Sequence, residues 1–81
     1  MGAAPKKAAD VIALKRLMTE KGFRSVGLLA DMSGIGRTAL GKILDGKMQP
    51  STDTMFKLMD ALGIPESEAG QIFFASDLRD T

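Results

Sequence analysis

Residues 25–46 read SVGLLADMSGIGRTALGKILDG, and this stretch decides the fold of the chain. Serine is a preferred N-cap, and the apolar residues Leu28, Leu29 and Met32 follow Ser25, which predicts a short helix. Gly34 interrupts the pattern, because glycine adopts a positive φ at little cost. A second helix is predicted from near Gly36 to about Asp45, where Gly46 ends it. The stretch therefore indicates two short helices joined by a tight turn.

Five positions in this stretch have the residue types that two closely crossing helices require. Ala30 is small enough for the crossing, Gly34 follows four residues later in the turn, and Ile35 plugs the turn from below. Leu40 and Ile43 are placed to pack the second helix onto the first. These spacings predict a helix-turn-helix, whose second helix enters the major groove of DNA. The open alternative is an ordinary pair of short helices in a helical domain.

Apolar residues recur at helical spacing on both sides of this stretch, and no segment alternates with period two. Asp10 is predicted to cap a first helix that runs to about Lys21. Ser51 is predicted to cap a fourth helix with the apolar stripe Met55, Leu58, Met59 and Leu62. Pro65 is predicted to begin a fifth. We therefore expect an all-α chain that folds as a compact five-helix bundle.

The predicted organisation is a single domain with two flanking segments. The expected parts are a flexible N-terminal arm at residues 1–7, the helical domain at residues 8–74, and a polar C-terminal tail at residues 75–81.

The composition argues against several classes of protein. The chain of 81 residues has no cysteine and no histidine, which excludes zinc sites and catalysis by a thiolate or an imidazole. No apolar run approaches the roughly 18 residues that a membrane span needs, and no signal-peptide pattern is present. We expect a cytoplasmic protein that is not an enzyme and that needs no metal, cofactor or membrane.

The charges are distributed unevenly although the net charge is only +1. Residues 1–52 contain nine Lys or Arg and four Asp or Glu, whereas residues 53–81 contain two and six. Such a chain can present a basic face to DNA and keep an acidic face away from it. A solvated surface with accidental asymmetry is the alternative.

The stretch at residues 25–46 resembles the helix-turn-helix of lambda-repressor-like and Cro-like domains. Residues 50–64 are similar to the fourth-helix pattern of that family, and Ile72-Phe73-Phe74 is similar to the ending of small phage or prophage regulators. The resemblance covers roughly residues 10–74. It implies a five-helix bundle that binds double-stranded operator DNA as a homodimer, often as a repressor. The chain departs from the family at Val26, where Gln is frequent, and at Asp45, where Asn is frequent.

The candidate DNA contacts follow from this placement. Arg37 and Thr38 lie in the first turn of the predicted recognition helix, where Arg37 can pair with a guanine edge. The predicted base-reading residues are Arg37, Thr38, Gly41 and Lys42. The predicted phosphate-binding residues are Ser25, Lys47, Gln49, Lys6 and Lys7. The alternatives are a solvated surface arginine at position 37, a first-turn helix residue that satisfies local amides at Thr38, and a tolerated surface glycine at position 41. For Lys6 and Lys7 the alternative is a charged solubilising tail.

A dimer surface is predicted in the C-terminal third of the chain, away from the basic face. The predicted interface residues are Ile64, Ile72, Phe73 and Phe74. Adjacent residues on a helix diverge by about 100°, so we expect Phe73 to point inward and Phe74 to be at least partly exposed.

Two other functions have some support in the sequence. Gly36 to Lys42 match the G-x4-G-K spacing of a phosphate-binding loop, but Ile43 stands where magnesium coordination requires Ser or Thr, and no strand precedes it. The stronger alternative is a protein-interaction module of the same fold, such as an antirepressor or an antitoxin. The low net charge and Val26 favour that alternative.

Overall fold

The computed structural model describes residues 9–74. Its five helices confirm the all-α prediction, and these residues include neither a strand nor a helix long and apolar enough to cross a bilayer. The helices are α1 (Val11–Glu20), α2 (Val26–Ser33), α3 (Arg37–Leu44), α4 (Thr52–Leu62) and α5 (Glu66–Phe73). The predicted arm with Lys6 and Lys7, residue 8, and the predicted tail at residues 75–81 lie outside the described residues.

Three of the helices begin at the predicted capping side chains. Asp10, Ser25 and Ser51 each accept a hydrogen bond from the amide three residues further along, at 3.1–3.2 Å. These bonds satisfy amides that have no partner within the helix. Pro65 precedes α5 as its N-cap and is not its first residue, so the helix begins one position later than predicted, at Glu66.

Glycines end two of the helices in the left-handed conformation. Gly34 follows α2 with φ +79°, and Gly63 follows α4 with φ +69°. A residue with a Cβ is strained at such a φ, whereas glycine is not. The chain therefore leaves each of these two helices abruptly and enters the next one after three residues.

The core lies where α2 packs against both α3 and α4, with α1 closing on α3 and α5 on α4. The residues predicted for the helix crossing and the turn, Ala30, Ile35, Leu40 and Ile43, are all buried, as expected. The remaining core residues are Leu14, Met18, Leu29, Leu44, Leu58, Leu62, Ile64 and Phe73.

The loop between α3 and α4 is fastened to both ends of the described chain. The Gln49 side chain accepts a hydrogen bond from the backbone N–H of Ala9 at 2.9 Å and donates one to the carbonyl of Phe73 at 2.7 Å. The N–H of Asp10 donates to the carbonyl of Ile72 at 2.6 Å. The start of α1 therefore lies against the end of α5.

Candidate nucleic-acid interface

The turn between α2 and α3 is held by its backbone and by one buried side chain. The N–H of Gly34 donates to the carbonyl of Ala30 at 2.9 Å, and the Ser33 hydroxyl accepts from the N–H of Ile35 at 3.3 Å. Ile35 is buried below the turn. Gly36 then serves as the N-cap of α3. These contacts fix α3 relative to α2, so side chains on α3 project from a rigid support.

The four predicted base-reading positions share the arc of α3 that the core does not cover. Leu40, Ile43 and Leu44 are buried on the other side of the helix. Arg37, Thr38 and Lys42 are exposed. At Gly41 a Cβ would meet no atom within 4 Å, so the backbone of α3 is open to close approach there. The recognition arc, as we call it below, comprises Arg37, Thr38, Gly41 and Lys42.

A cleft of about 560 Å³ adjoins this arc, between the first turn of α2, α1 and α3. Its cationic lining residues are Lys15, Arg24 and Arg37, and its one carboxylate belongs to Asp45. Ser25, predicted to meet a phosphate, lines the same cleft at the N-terminus of α2, where free amides attract anions. We call this feature the basic cleft.

Sequence reasoning missed two residues of the basic cleft. Lys15 lies on α1, and only the packing of α1 against α3 brings it to the α2 N-terminus. Arg24 is different, because it directly precedes the predicted cap Ser25. A basic residue at that position was a local signal that could have identified it.

The Arg37 side chain belongs to the recognition arc and to the basic cleft at once. Its guanidinium lies over Gly27 in the first turn of α2. A Cβ built on Gly27 would stand 2.7 Å from Nη2 and 3.0 Å from Cζ of Arg37.

Two further predicted phosphate contacts, Lys47 and Gln49, lie in the loop after α3, and they differ in exposure. Lys47 is exposed, and its backbone N–H donates to the carbonyl of Lys42 at 2.9 Å, which keeps this residue next to the end of α3. The Gln49 amide is half-buried and engaged with Ala9 and Phe73. The structure thus gives Gln49 a role inside the fold that the sequence analysis did not foresee.

The cations near α3 are not neutralised by neighbouring carboxylates. Between residues 9 and 74 the one ion pair joins Lys57 to Asp53 on α4, at 3.1 Å. The exposed cations of the recognition arc, the basic cleft and the following loop are Lys15, Arg24, Arg37, Lys42 and Lys47. Clustered unpaired cations attract the phosphate backbone of DNA.

The predicted dimer residues fall into two groups, which corrects the sequence analysis. Ile64 and Phe73 are 5% and 1% exposed, because the end of α4 and the inner face of α5 close over the core. They are therefore core residues of the monomer. Ile72 is half-buried, and Phe74 is 37% exposed, so Phe73 points inward and Phe74 outward as expected.

Phe74 lines an apolar groove between α4 and α5. Sequence reasoning did not identify this groove. Phe56 on α4 is 58% exposed at this groove. We call it the α4–α5 groove, and its lining residues are Thr52, Met55, Phe56, Met59, Glu66, Ala69, Phe73 and Phe74.

A buried alanine at the helix crossing, a left-handed glycine in the turn and an open second helix define the helix-turn-helix class of DNA-binding domains. Residues 14–68 match a helix-turn-helix family, the one with lambda-repressor-like and Cro-like domains, and the chain belongs to it. No curated protein and no solved structure gave a significant match. The family consists of DNA-binding regulatory domains that are not typically enzymes, so this chain is a DNA-binding transcription regulator.

Proposed function

We propose that this protein is a sequence-specific repressor that binds a palindromic operator as a homodimer, with α3 in the major groove. The observation that carries the proposal is the recognition arc: its cationic side chains have no ion-pair partner within residues 9–74, and they project from a helix fixed by the turn. Exposed cations on a rigid helix suit base edges and phosphates.

Each member of the recognition arc has a role in this proposal. Arg37 forms a bidentate pair with a guanine edge, since its fork matches two acceptors. Thr38 donates to a base or contacts a thymine methyl group. Lys42, one turn further on, reaches a base or a phosphate. Gly41 lets the backbone of α3 approach the groove closely, because no Cβ stands in the way.

Phosphate binding is assigned to the basic cleft and to the loop after α3. Ser25 and the free amides of α2 meet one phosphate, and Lys15 and Arg24 supply positive charge around it. Lys47 contacts a second phosphate beside the end of α3. Lys6 and Lys7, in the N-terminal arm, are proposed to contact further phosphates.

Dimerisation is assigned to the α4–α5 groove, with a second copy of this chain as its occupant. One recognition helix reads only a few base pairs, and two half-sites about 34 Å apart provide the missing discrimination. Phe56 and Phe74 are large aromatic residues exposed at the groove. Ile72 is a third apolar residue that the monomer leaves partly uncovered, and it lies on α5, which also provides the groove residue Ala69. Burial of these side chains against a symmetric copy removes apolar surface from water.

The family resemblance supports repression as the regulatory outcome. A dimer bound to its operator would block access to the promoter.

The second candidate is a protein-interaction module of the same fold, and the α4–α5 groove is the observation that favours it. An exposed apolar groove also suits a different protein partner.

Selection from randomised DNA, followed by mobility-shift titration, tests the proposal. We expect the protein to enrich one palindromic sequence and to lose about 10³-fold or more in affinity between about 50 mM and 200 mM salt. Enrichment of no sequence, with weak binding of every duplex, would favour the protein-interaction module instead.

A further inference from the structure

Among the glycines of residues 9–74, Gly27 is the one against which a side chain packs most closely. A Cβ at this position would lie 2.7 Å from Nη2, 3.0 Å from Cζ and 3.1 Å from Nε of Arg37. The Cβ atoms of folded proteins essentially never approach a non-bonded heavy atom of another residue within 3.0 Å. An alanine at position 27 and the Arg37 guanidinium in its observed place are therefore mutually exclusive.

The backbone gives no reason for a glycine at this position. Gly27 lies inside α2 and is not among the glycines with a positive φ. Glycine within a helix has a lower propensity than alanine, because the unfolded chain loses more freedom on folding. The room that Gly27 leaves is used by the guanidinium of Arg37, which comes from the next helix.

We propose that Gly27 is a specificity-determining position, which acts by letting Arg37 rest, already ordered, on the first turn of α2. The inference builds on the proposed function, since it concerns how Arg37 meets DNA. An arginine ordered before binding loses less rotamer freedom when it contacts a base or phosphate than one that moves freely in solvent.

Charge attraction does not explain the resting place of Arg37. The guanidinium lies at the N-terminal end of α2, which carries partial positive charge, and Lys15 and Arg24 line the same cleft. Asp45 also lines it, but no ion pair joins Asp45 to Arg37. Packing over Gly27 therefore positions the guanidinium, and DNA phosphates supply negative charge beyond the single carboxylate of Asp45.

Replacing Gly27 by alanine moves the guanidinium and leaves the fold intact. The conflict involves the far end of a flexible side chain and no backbone atom. The displaced Arg37 then has to be ordered by the DNA itself. We expect Gly27→Ala to weaken binding to the selected sequence about two- to tenfold, the equivalent of immobilising one long side chain.

The experiment is a double-mutant cycle with the wild type, Gly27→Ala, Arg37→Ala and the combined variant, titrated with the selected sequence and a scrambled duplex. Gly70→Ala on α5 is the matched control, because a Cβ there meets no atom within 4 Å. We expect Gly27→Ala to weaken binding only when Arg37 is present. Both Gly→Ala variants should melt at or above the wild-type temperature.

A nuclear Overhauser measurement on the free protein tests the resting place itself. We expect contacts between the Gly27 Hα protons and the Arg37 side chain in the wild type. Absence of these contacts, unchanged binding by Gly27→Ala, or the same loss in the Arg37→Ala background would each overturn the inference. If the wild-type protein selects no sequence, the proposed function fails together with the inference that rests on it. If the wild-type protein selects a sequence and one of the three results above is obtained, the inference alone fails.

Discussion

The side-chain carbonyl of Gln49 accepts a hydrogen bond from the backbone N–H of Ala9, 40 residues earlier in the chain, at 2.9 Å. The other end of the same amide donates to the carbonyl of Phe73 at 2.7 Å. One partly buried side chain thus joins the loop after α3 to the residues just before α1 and to the end of α5. Its loss leaves two backbone groups without their partner.

Gln49→Ala is expected to lower the free energy of unfolding by about 1–3 kcal/mol, because unpaired, partly buried polar groups are destabilising. A domain of this size has only about 5 kcal/mol in total, so the shift is large. Urea denaturation followed by circular dichroism measures it. Gln71→Ala on the exposed face of α5 is the control, and equal effects of the two variants would contradict the assignment of Gln49 to the fold.

Ala30→Leu is expected to destabilise the domain by about 1–3 kcal/mol or to unfold it, because extra methylene groups do not fit a tight helix crossing. Ala30 is buried where α2 meets its neighbours. Asp31→Leu introduces the same side chain at the next, exposed position and should change the melting temperature little. An undiminished melting temperature of Ala30→Leu would remove Ala30 from the helix contact.

Lys47→Ala is expected to weaken DNA binding by a similar factor on all sequences and to reduce the salt slope by about one, as for a lost phosphate contact. Titrations at several salt concentrations measure both quantities. Lys57→Ala serves as control, because that lysine is paired with Asp53 on α4. A loss confined to the selected operator, with an unchanged slope, would make Lys47 a base reader.

Phe74→Ser and Phe56→Ser are each expected to weaken self-association and cooperative operator binding while the monomer stays folded. Both side chains are partly exposed at the α4–α5 groove. Sedimentation equilibrium and circular dichroism test the two expectations together. Ile12→Ser, which removes an exposed apolar side chain from α1, is the control. An unchanged association constant in both variants would place the dimer contact elsewhere.

Local signals made the helix boundaries predictable from the sequence. A cap such as Ser25 and a helix-ending glycine such as Gly34 act within three or four residues of their own position, so the chain encodes them directly. Pro65 was misplaced by one position, because its fixed φ suits both the N-cap and the first helical residue.

Features that depend on packing between distant segments were not predictable in the same way. The partners of Gln49 lie 40 and 24 residues away, and no local pattern indicates them. In the sequence, Ile64 and Phe73 look like apolar residues available for an interface, but the packing of the helices buries both of them. Phe56 was detectable in principle, since it is a large aromatic residue outside the predicted apolar stripe of its helix.

The hydrogen bond between the N–H of Asp10 and the carbonyl of Ile72, at 2.6 Å, brings the two ends of the described fold side by side. A domain grafted into a surface loop of a host protein has to leave and re-enter the host at neighbouring points. Residues 9–74 meet that geometric demand without a linker that crosses the bundle. The same proximity allows circular permutation, in which a short bridge joins the old ends and the chain is opened at another loop.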